Sequence, residues 1–311
     1  MPIMNTDSIV IAHPEVNAAS AYLASLSSKT SKATMCSRLN VIARLMGAAD
    51  ASSVNWATLN AAHVVAIVGK LSGSSSSTKN QTLAALKGVA RAAWRLGQMT
   101  TDDYERIRDV RSARSSRELA GRDVERDELA MILKTCKRDD APAGARDAAM
   151  FALSASCGLR RCELACLSMS DIRRDDDDVE LRFVGKGDKE RTAYCFNGAL
   201  KALKVWLAIR GSSPGALFPT IDKAGQIHVE HHMSTVAIHK RFTLRCEQAG
   251  VDDVHLHDLR RTWIGAMLDS GADIVTVATL AGHSDVRTTQ RYDRRPSAIR
   301  RAAACKVQVP Y

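Results

Sequence analysis

The sequence lacks a cationic leader and any long apolar run near its start. Its first residues, MPIMNTDSIVIAH, include only the short apolar segment 9–12, whereas a membrane-spanning helix needs about 20 residues. No signal peptide is therefore expected, and we expect a cytoplasmic protein without a membrane partner. Long-period internal repeats are also missing, as are low-complexity segments apart from one serine run.

Cysteine pairs of the Cys-x-x-Cys type are absent as well. The chain has eight cysteines among its 311 residues, and in a chain of this length without an export signal the thiols are expected to stay reduced. The tightest cluster, Cys157, Cys162 and Cys166, lies in an apolar, helix-like stretch, whereas structural zinc requires four ligands at turn-like spacings. We interpret these cysteines as small buried hydrophobic residues, with zinc as the less favoured alternative.

Signatures of bound metals and nucleotides are incomplete. The segment HVEHH (228–232) could bind zinc but does not have the helical His-Glu-x-x-His order. The acidic run RRDDDD (173–178) is more typical of a solvated turn than of a divalent-cation site. The segment GKGDKE (185–190) lacks the first Gly and the Ser/Thr of a phosphate-binding P-loop. No cofactor is therefore expected.

Apolar residues and positive charge are plentiful. Hydrophobic residues make up 45% of the chain and charged residues 25%, so the chain can bury a core and is long enough for about two domains. The net charge of +10 divides equally between residues 1–111 and residues 112–311. Such a surplus favours an anionic partner, and nucleic acid is preferred over an acidic membrane surface.

Periodicity predicts a mainly α fold with a small β-sheet. Residues 1–111 have helical periods separated by polar breaks, and residues 112–123 have the Arg- and Ser-rich composition of an exposed linker. Residues 124–295 combine helical periods with a β-hairpin over 179–196, where two alternating segments flank a Gly-rich turn. Residues 296–311 form a tail of mixed polarity. We therefore expect a helical first domain, a linker, an α+β second domain and a C-terminal tail.

Five short segments concentrate polar residues in apolar surroundings: GLRRCEL (158–164), GKGDKER (185–191), HDLRR (257–261), GHSD (282–285) and QRYD (290–293). Taken singly, each is typical of surface arginines, turns or packing. On a helix, His257 and Arg260 share one face. Arg160 and Glu163 have the i, i+3 relation that lets a carboxylate orient a guanidinium. We also expect Gly282 to end a helix and Ser284 to cap the next one.

In this order the segments resemble the motifs of the tyrosine recombinase (phage integrase) family. CGLRRCEL is similar to the family's first Arg box, GKGDKER to its Lys hairpin turn, HDLR to its His-x-x-Arg box, LAGHS to its Leu-Gly-His-Ser box and TTQRY to its Thr-Thr-x-x-Tyr box. The resemblance covers about residues 120–295, and residues 1–111 resemble the family's core-binding domain only in length and helicity. Two positions depart from the family pattern. Ala281 replaces the commoner Leu before Gly-His, and Arg261 follows the second Arg where many members have His.

The resemblance implies six catalytic residues and one supporting acid. Tyr292 would attack a DNA phosphodiester and keep the phosphate as a 3′-phosphotyrosyl ester. Arg160 and Arg260 would bind the non-bridging oxygens, with Glu163 as the acidic neighbour of Arg160. Lys186 would protonate the leaving 5′-oxygen. His257 would accept the tyrosine proton, and His283 would donate a hydrogen bond to the phosphate.

The same resemblance implies a site-specific recombinase that acts on double-stranded DNA recombination sites as a tetramer. Two alternatives stay open: a type IB topoisomerase, which rejoins the same ends, and a non-catalytic DNA-binding module of the same fold. Only about a dozen residues precede the first predicted helix, so we expect no further arm-binding domain. Residues 297–311 have the length and polarity of a tail that docks on a neighbouring protomer.

Overall fold

The computed structural model describes residues 17–113, 121–175, 178–185 and 189–293. The chain divides into two compact units, Met1–Glu118 and Leu119–Tyr311, and this division falls inside the segment 112–123. Lys186, residues 114–120 of the predicted linker and the predicted tail 296–311 lie outside the described residues. Within the described ranges, no helix combines the length and the apolar character needed to cross a membrane.

The first unit is helical over residues 17–113. Its helices are α1 (Ala18–Ser25), α2 (Lys29–Leu45), α3 (Ala61–Lys70), α4 (Ser76–Arg95) and α5 (Thr101–Asp109), with short 3₁₀ turns at Ala51–Ser53 and Trp56–Thr58. The core forms around α4, whose Leu83, Leu86 and Val89 are buried at spacings that line one helix face. Periodicity does not predict α5, because this helix is strongly charged and buries only Ile107.

The second unit is built around a buried helix. Its helices are α6 (Arg126–Lys137), α7 (Pro142–Cys157), α8 (Arg161–Cys166), α9 (Asn197–Arg210), α10 (Thr235–Ala249), α11 (Leu256–Asp269), α12 (Ile274–Ala281) and α13 (Val286–Gln290). Helix α7 is buried along most of its length and packs against α6, α9 and α11. Inside this core, Asp147 accepts hydrogen bonds from Arg241 at 2.6 Å and from Arg245 at 3.1 Å, so the buried carboxylate is paired.

Two small antiparallel sheets complete the second unit. The first contains β1 (Ile172–Asp175), β2 (Asp178–Val184) and β3 (Glu190–Cys195) in the order β1-β2-β3, and the second contains β4 (Pro219–Ile221) and β5 (Ile227–His232). The predicted hairpin is β2 and β3, with Leu181 paired to Ala193 in its buried face. The prediction of a mainly helical fold with a small sheet is confirmed.

Two predictions for residues 157–178 are wrong. The run 173–178 is predicted as a turn, but Ile172–Asp175 is a strand, because its backbone pairs with β2 from Ile172 opposite Leu181. Of the three clustered cysteines only Cys157 is buried; Cys162 and Cys166 are exposed, since α8 buries the side that carries Leu164.

The segment HVEHH forms part of strand β5. His228 lies 3.3 Å from Asp222, between Nε2 and Oδ2, and His232 Nδ1 lies 2.9 Å from the Ala165 carbonyl. Among the residues that the structure describes, there is no group of three or more His, Cys, Asp or Glu that could hold a metal ion.

Candidate active site

Arg160 lies at the corner between α7 and α8. Gly158 ends α7 with φ +59°, and a Cβ at this position would overlap the indole of Trp263, so both the backbone and the packing require glycine. Arg160 is the N-cap residue of α8, and Glu163 accepts its backbone N–H at 2.8 Å and its Nη1 at 2.7 Å. The i, i+3 pairing expected from the sequence is present, and it fixes the guanidinium.

A second arginine, Arg191 of β3, shares the Glu163 carboxylate. Its Nη1 donates to Glu163 Oε2 at 2.5 Å, and its Nη2 donates to the Leu280 carbonyl. The guanidinium also lies 5.4 Å from the centre of the Phe183 ring, which is its cross-strand neighbour. The motifs assign Arg191 no role of its own, although it is the last residue of GKGDKER and could have been found there.

Arg260 of α11 is 1% exposed and joins three segments of the second unit. Its Nη1 donates to the Gly158 carbonyl at 2.5 Å. Its Nη2 donates to the Ala281 carbonyl at 2.6 Å and to His283 Nε2 at 2.9 Å. The α7–α8 corner, α11 and the end of α12 are therefore connected through one side chain.

The C-terminal end of α12 supplies a carbonyl acceptor to each of three arginines. The pairs are Leu280 with Arg191, Ala281 with Arg260, and Gly282 with Arg160. The last carbonyls of a helix have no partner within the helix and carry a partial negative charge. This end of α12 is therefore suited to hold guanidinium groups.

Gly282 ends α12 in the left-handed conformation, as the sequence predicts, with φ +63°. A Cβ on Gly282 would lie 2.5 Å from Arg191 Cδ and 3.2 Å from Arg160 Nη1, so the arginines approach this backbone only because no side chain is present. The predicted cap at Ser284 is wrong. Asp285 caps α13 instead, because its carboxylate accepts the Arg287 N–H at 2.9 Å.

His283 links Arg260 to Thr289. Because a guanidinium only donates, His283 Nε2 accepts from Arg260, and Nδ1 then donates to Thr289 Oγ1 at 2.7 Å. Burial and the charge of Arg260 lower the pKa of His283 to about 4, so the ring is neutral at pH 7. In this arrangement His283 orients Arg260, and donation from Nε2 to a phosphate requires the other tautomer.

Tyr292 follows α13 and lies beside His283. The two ring centroids are 6.3 Å apart and the ring planes differ by 16°. On α11, the Arg261 guanidinium carbon lies over the Tyr292 ring, 5.9 Å from its centre. Tyr292 also packs against a small apolar cluster that contains Ile264 and Leu268.

His257 lies one turn before Arg260 on α11. Partial burial and then the charge of Arg260 lower the pKa of His257, although much of its side chain is exposed. It lines an open cavity of about 490 Å³ together with Arg161, His239 and His255. Of the six residues expected to be catalytic, five are therefore on neighbouring elements of the second unit, and Lys186 lies outside the described residues.

Positive charge exceeds negative charge in this cluster of buried groups. Burial alone would raise the pKa of Glu163, but Arg191 and Arg160 outweigh it and hold this pKa below its usual value. Burial and the neighbouring Arg160 lower the pKa of Arg260 to about 9, which still leaves it protonated at neutral pH. Among the described residues of this cluster, the Glu163 carboxylate thus lies among the guanidiniums of Arg160, Arg191 and Arg260, an arrangement that attracts an oxyanion such as a phosphodiester.

Replacing Glu163 with Gln is expected to lower the free energy of unfolding by about 3–5 kcal/mol, because the guanidiniums of Arg160 and Arg191 lose the carboxylate that pairs with both of them. A carboxyl group with a depressed pKa stabilises the fold above its unfolded-state pKa, and this contribution is lost as pH falls through the folded-state value. The wild-type protein should therefore approach the stability of E163Q below the usual pKa of 4.5. Urea unfolding of both proteins from neutral to acid pH measures the difference.

Glu180→Gln is the matched control for this prediction. Glu180 pairs with Arg182 on the exposed side of the first sheet, where the arginine side chain is 62% exposed, so its loss should change the stability by less than about 1 kcal/mol. If the difference in stability between wild type and E163Q stayed the same towards acid pH, the lowered pKa of Glu163 would not be the source of this stability.

Comparison with known proteins gives consistent matches. Residues 122–297 match the phage integrase family. The chain is 32% identical over 277 residues to the tyrosine recombinase XerC of Chromohalobacter salexigens, which covers 88% of this chain and 89% of the relative. It is 30% identical over 245 residues to the tyrosine recombinase XerC of Alcanivorax borkumensis, with 76% of each chain covered.

Solved structures share the fold of this chain. A λ integrase dimer bound to a COC′ core site has a TM-score of 0.64 at 15% identity, covering 93% of this chain and 95% of that chain. The Tn1549 transposon integrase in complex with circular intermediate DNA has a TM-score of 0.65 at 13% identity, covering 94% of this chain and 100% of that chain. XerH recombinase in a post-cleavage complex with difH has a TM-score of 0.62 at 19% identity, covering 85% of this chain and 74% of that chain.

Proposed function

The chain belongs to the phage integrase family, and we propose that it is a site-specific DNA recombinase that cuts and rejoins DNA strands through a 3′-phosphotyrosyl intermediate. The observation that carries this proposal is the convergence of Arg160, Arg260 and Tyr292 on the loop at the end of α12, through hydrogen bonds of Arg160 and Arg260 to the carbonyls of Gly282 and Ala281. These side chains provide a nucleophile and two phosphate-binding groups within one small region.

In the proposed cleavage step, the Tyr292 hydroxyl oxygen attacks the scissile phosphorus and the bond from phosphorus to the 5′-oxygen breaks. Negative charge builds on the non-bridging oxygens, and Arg160 and Arg260 stabilise it. Their guanidiniums are already fixed by Glu163 and by backbone carbonyls, so little reorganisation is needed during the reaction. Arg191 acts through Glu163 and is a positioning residue.

Two proton transfers accompany this step. His257 accepts the proton of the tyrosine hydroxyl, and its lowered pKa keeps it neutral at pH 7, as an acceptor must be. Lys186, assigned from the family motif, donates a proton to the leaving 5′-oxygen. His283 holds Arg260 towards the phosphate. In the second step a 5′-hydroxyl of the partner DNA attacks the phosphotyrosyl ester, the ester bond to Tyr292 breaks, and the strands are joined.

The recombinase is favoured over the two alternatives that the motifs leave open. Relatives called tyrosine recombinase match 88% and 76% of this chain. Nothing in these comparisons supports a type IB topoisomerase, which would rejoin the same ends on one duplex. A non-catalytic module would have no use for the Arg160, Arg260 and Tyr292 arrangement.

The proposed partner is double-stranded DNA that carries recombination sites, and the proposed compartment is the cytoplasm. Integrases with this fold have been solved with a core site and with circular intermediate DNA. We propose that residues 1–111 form a core-binding domain and residues 124–295 the catalytic domain. The equal positive surplus of residues 1–111 and 112–311 supports DNA contacts by both parts.

A tetramer on DNA is part of this proposal, with residues 297–311 as the segment that contacts a neighbouring protomer. Deleting these residues is expected to abolish recombination between two sites while leaving binding to a single site unchanged, because only recombination requires contacts between protomers. Gel-shift assays with one site and strand-exchange assays with two sites measure the two activities. Unchanged recombination by the truncated chain would remove the tail from the proposal.

The experiment that tests the function uses nicked duplexes with candidate sites from the DNA that flanks the gene. With a recombinase, a protease-sensitive covalent adduct between the protein and the DNA 3′-phosphate should accumulate on the nicked duplex. A labelled DNA strand should also be transferred from one duplex to another. Adduct formation with plasmid relaxation but no transfer would indicate a topoisomerase. DNA binding without any adduct would indicate a non-catalytic module.

A further inference from the structure

Arg261 is a buried arginine next to the expected catalytic residue Arg260. It is 5% exposed, and its guanidinium carbon lies 5.9 Å from the centre of the Tyr292 ring. Its Nε lies 3.7 Å from Asp123 Oδ1. A guanidinium over an aromatic face at this distance is attracted by the negative potential of the ring, more strongly when it is shielded from water.

The Tyr292 ring has two neighbours from separate elements, His283 after α12 and Arg261 of α11. His283 stacks near it with ring planes 16° apart, and Arg261 lies over the ring face. A small cavity of about 50 Å³ borders the tyrosine and is lined by Asp123, Arg261, Gly265 and Asp269. The free space there would let the ring move, and Arg261 is the cationic side chain that borders both the cavity and the ring.

We propose that Arg261 is a positioning residue that holds the Tyr292 ring beside Arg260 and His283, ready for attack on the phosphate. The inference rests on the proposed function, because it gives Arg261 a part in the cleavage step. The two adjacent arginines of α11 then have different roles. Arg260 binds the phosphate, and Arg261 holds the ring of the nucleophile Tyr292. Correct orientation of a nucleophile before reaction lowers the barrier without changing the affinity for DNA.

The test compares wild type, Arg261→Gln and Arg261→Lys on a nicked suicide substrate. The single-turnover rate of adduct formation at saturating DNA and the Kd for the same DNA are measured separately. For R261Q the rate is expected to fall by about ten-fold while the Kd stays within about two-fold, and R261K should recover part of the rate because an ammonium group is also attracted to the face of the ring. A role that depended only on the shape and packing of the guanidinium would not be rescued by an ammonium group.

Arg287→Gln is the matched control, since Arg287 is an exposed arginine of α13, five positions before the nucleophile in the sequence. It should leave the rate at saturating DNA unchanged. An unchanged or faster rate for R261Q, or an equal loss in R261Q and R261K, would overturn the inference. Should R261Q fail to fold, R261K and R261H are compared at pH 8, where only lysine is charged; equal rates would overturn it.

The failure of the function and the failure of this inference give different results. Wild-type adduct formation reports on the function alone, and the ratio of variant to wild-type rates reports on Arg261. If wild type forms no adduct, both proposals fail. If wild type forms the adduct and R261Q matches it, only the role of Arg261 fails.

Discussion

Replacing Tyr292 with Phe is expected to abolish the covalent protein–DNA adduct, a loss of at least about 10⁴-fold in cleavage rate. The variant keeps the ring that stacks near His283 and lies below Arg261, so the packing of this region should be retained. The substitution removes only the hydroxyl oxygen that is proposed to attack the phosphate. DNA affinity should therefore remain close to that of wild type, because Arg160 and Arg260, which are proposed to bind the phosphate, are unchanged.

Tyr194→Phe is the matched control. Tyr194 is 43% exposed on β3 and stacks on Phe196, outside the arginine cluster, so its loss should leave adduct formation unchanged. Denaturing gels with labelled nicked DNA measure the adduct, and gel-shift titrations measure affinity. An adduct formed by Y292F at the wild-type rate would show that another residue is the nucleophile.

Replacing Arg260 with Gln is expected to slow cleavage by about 10²–10³-fold, the effect of removing one donor that stabilises transition-state charge. The same change removes hydrogen bonds to two backbone carbonyls and to His283. We therefore also expect a loss of about 2–4 kcal/mol in the free energy of unfolding. Rates must be compared at a temperature at which every variant is folded.

Arg210→Gln separates these two effects. Arg210 is 5% exposed and donates to the carbonyls of Ala216, Gly211 and Ser213, so it resembles Arg260 structurally. Arg210 lies in the same unit, but its hydrogen bonds go to carbonyls of residues 211–216, which are not part of the candidate active site. R210Q should lose stability and keep its cleavage rate. Equal cleavage losses in R210Q and R260Q would mean that Arg260 acts only through the fold.

The sequence carried more information about the site than about its surroundings. The Arg160–Glu163 pair and the Gly282 cap follow from local rules, namely i, i+3 spacing and the left-handed conformation that glycine tolerates. Their convergence with Tyr292 does not follow from such rules. It was expected only because the order of the motifs resembles a family.

Contacts between distant segments were the part that sequence patterns could not supply. Arg191 meets Glu163 because the β2–β3 register brings its side chain to α8, and a register is not readable from composition. The acceptor role of His283 depends on the direction in which Arg260 donates, which no motif encodes. The short strands β4 and β5 were missed because their residues do not alternate between buried and exposed.

In the described part of the candidate active site, the charge of three arginines exceeds that of the Glu163 carboxylate, and this excess has a thermodynamic consequence. Like charges that approach one another in a buried region oppose folding, and a ligand that neutralises them binds the native state in preference to the unfolded chain. Such a ligand raises stability by RT ln(1 + [L]/Kd). The second unit should therefore melt at a higher temperature as the DNA concentration rises. Under the proposed function, its activity and its resistance to heat or proteases are thus linked through the binding of a phosphate by Arg160 and Arg260.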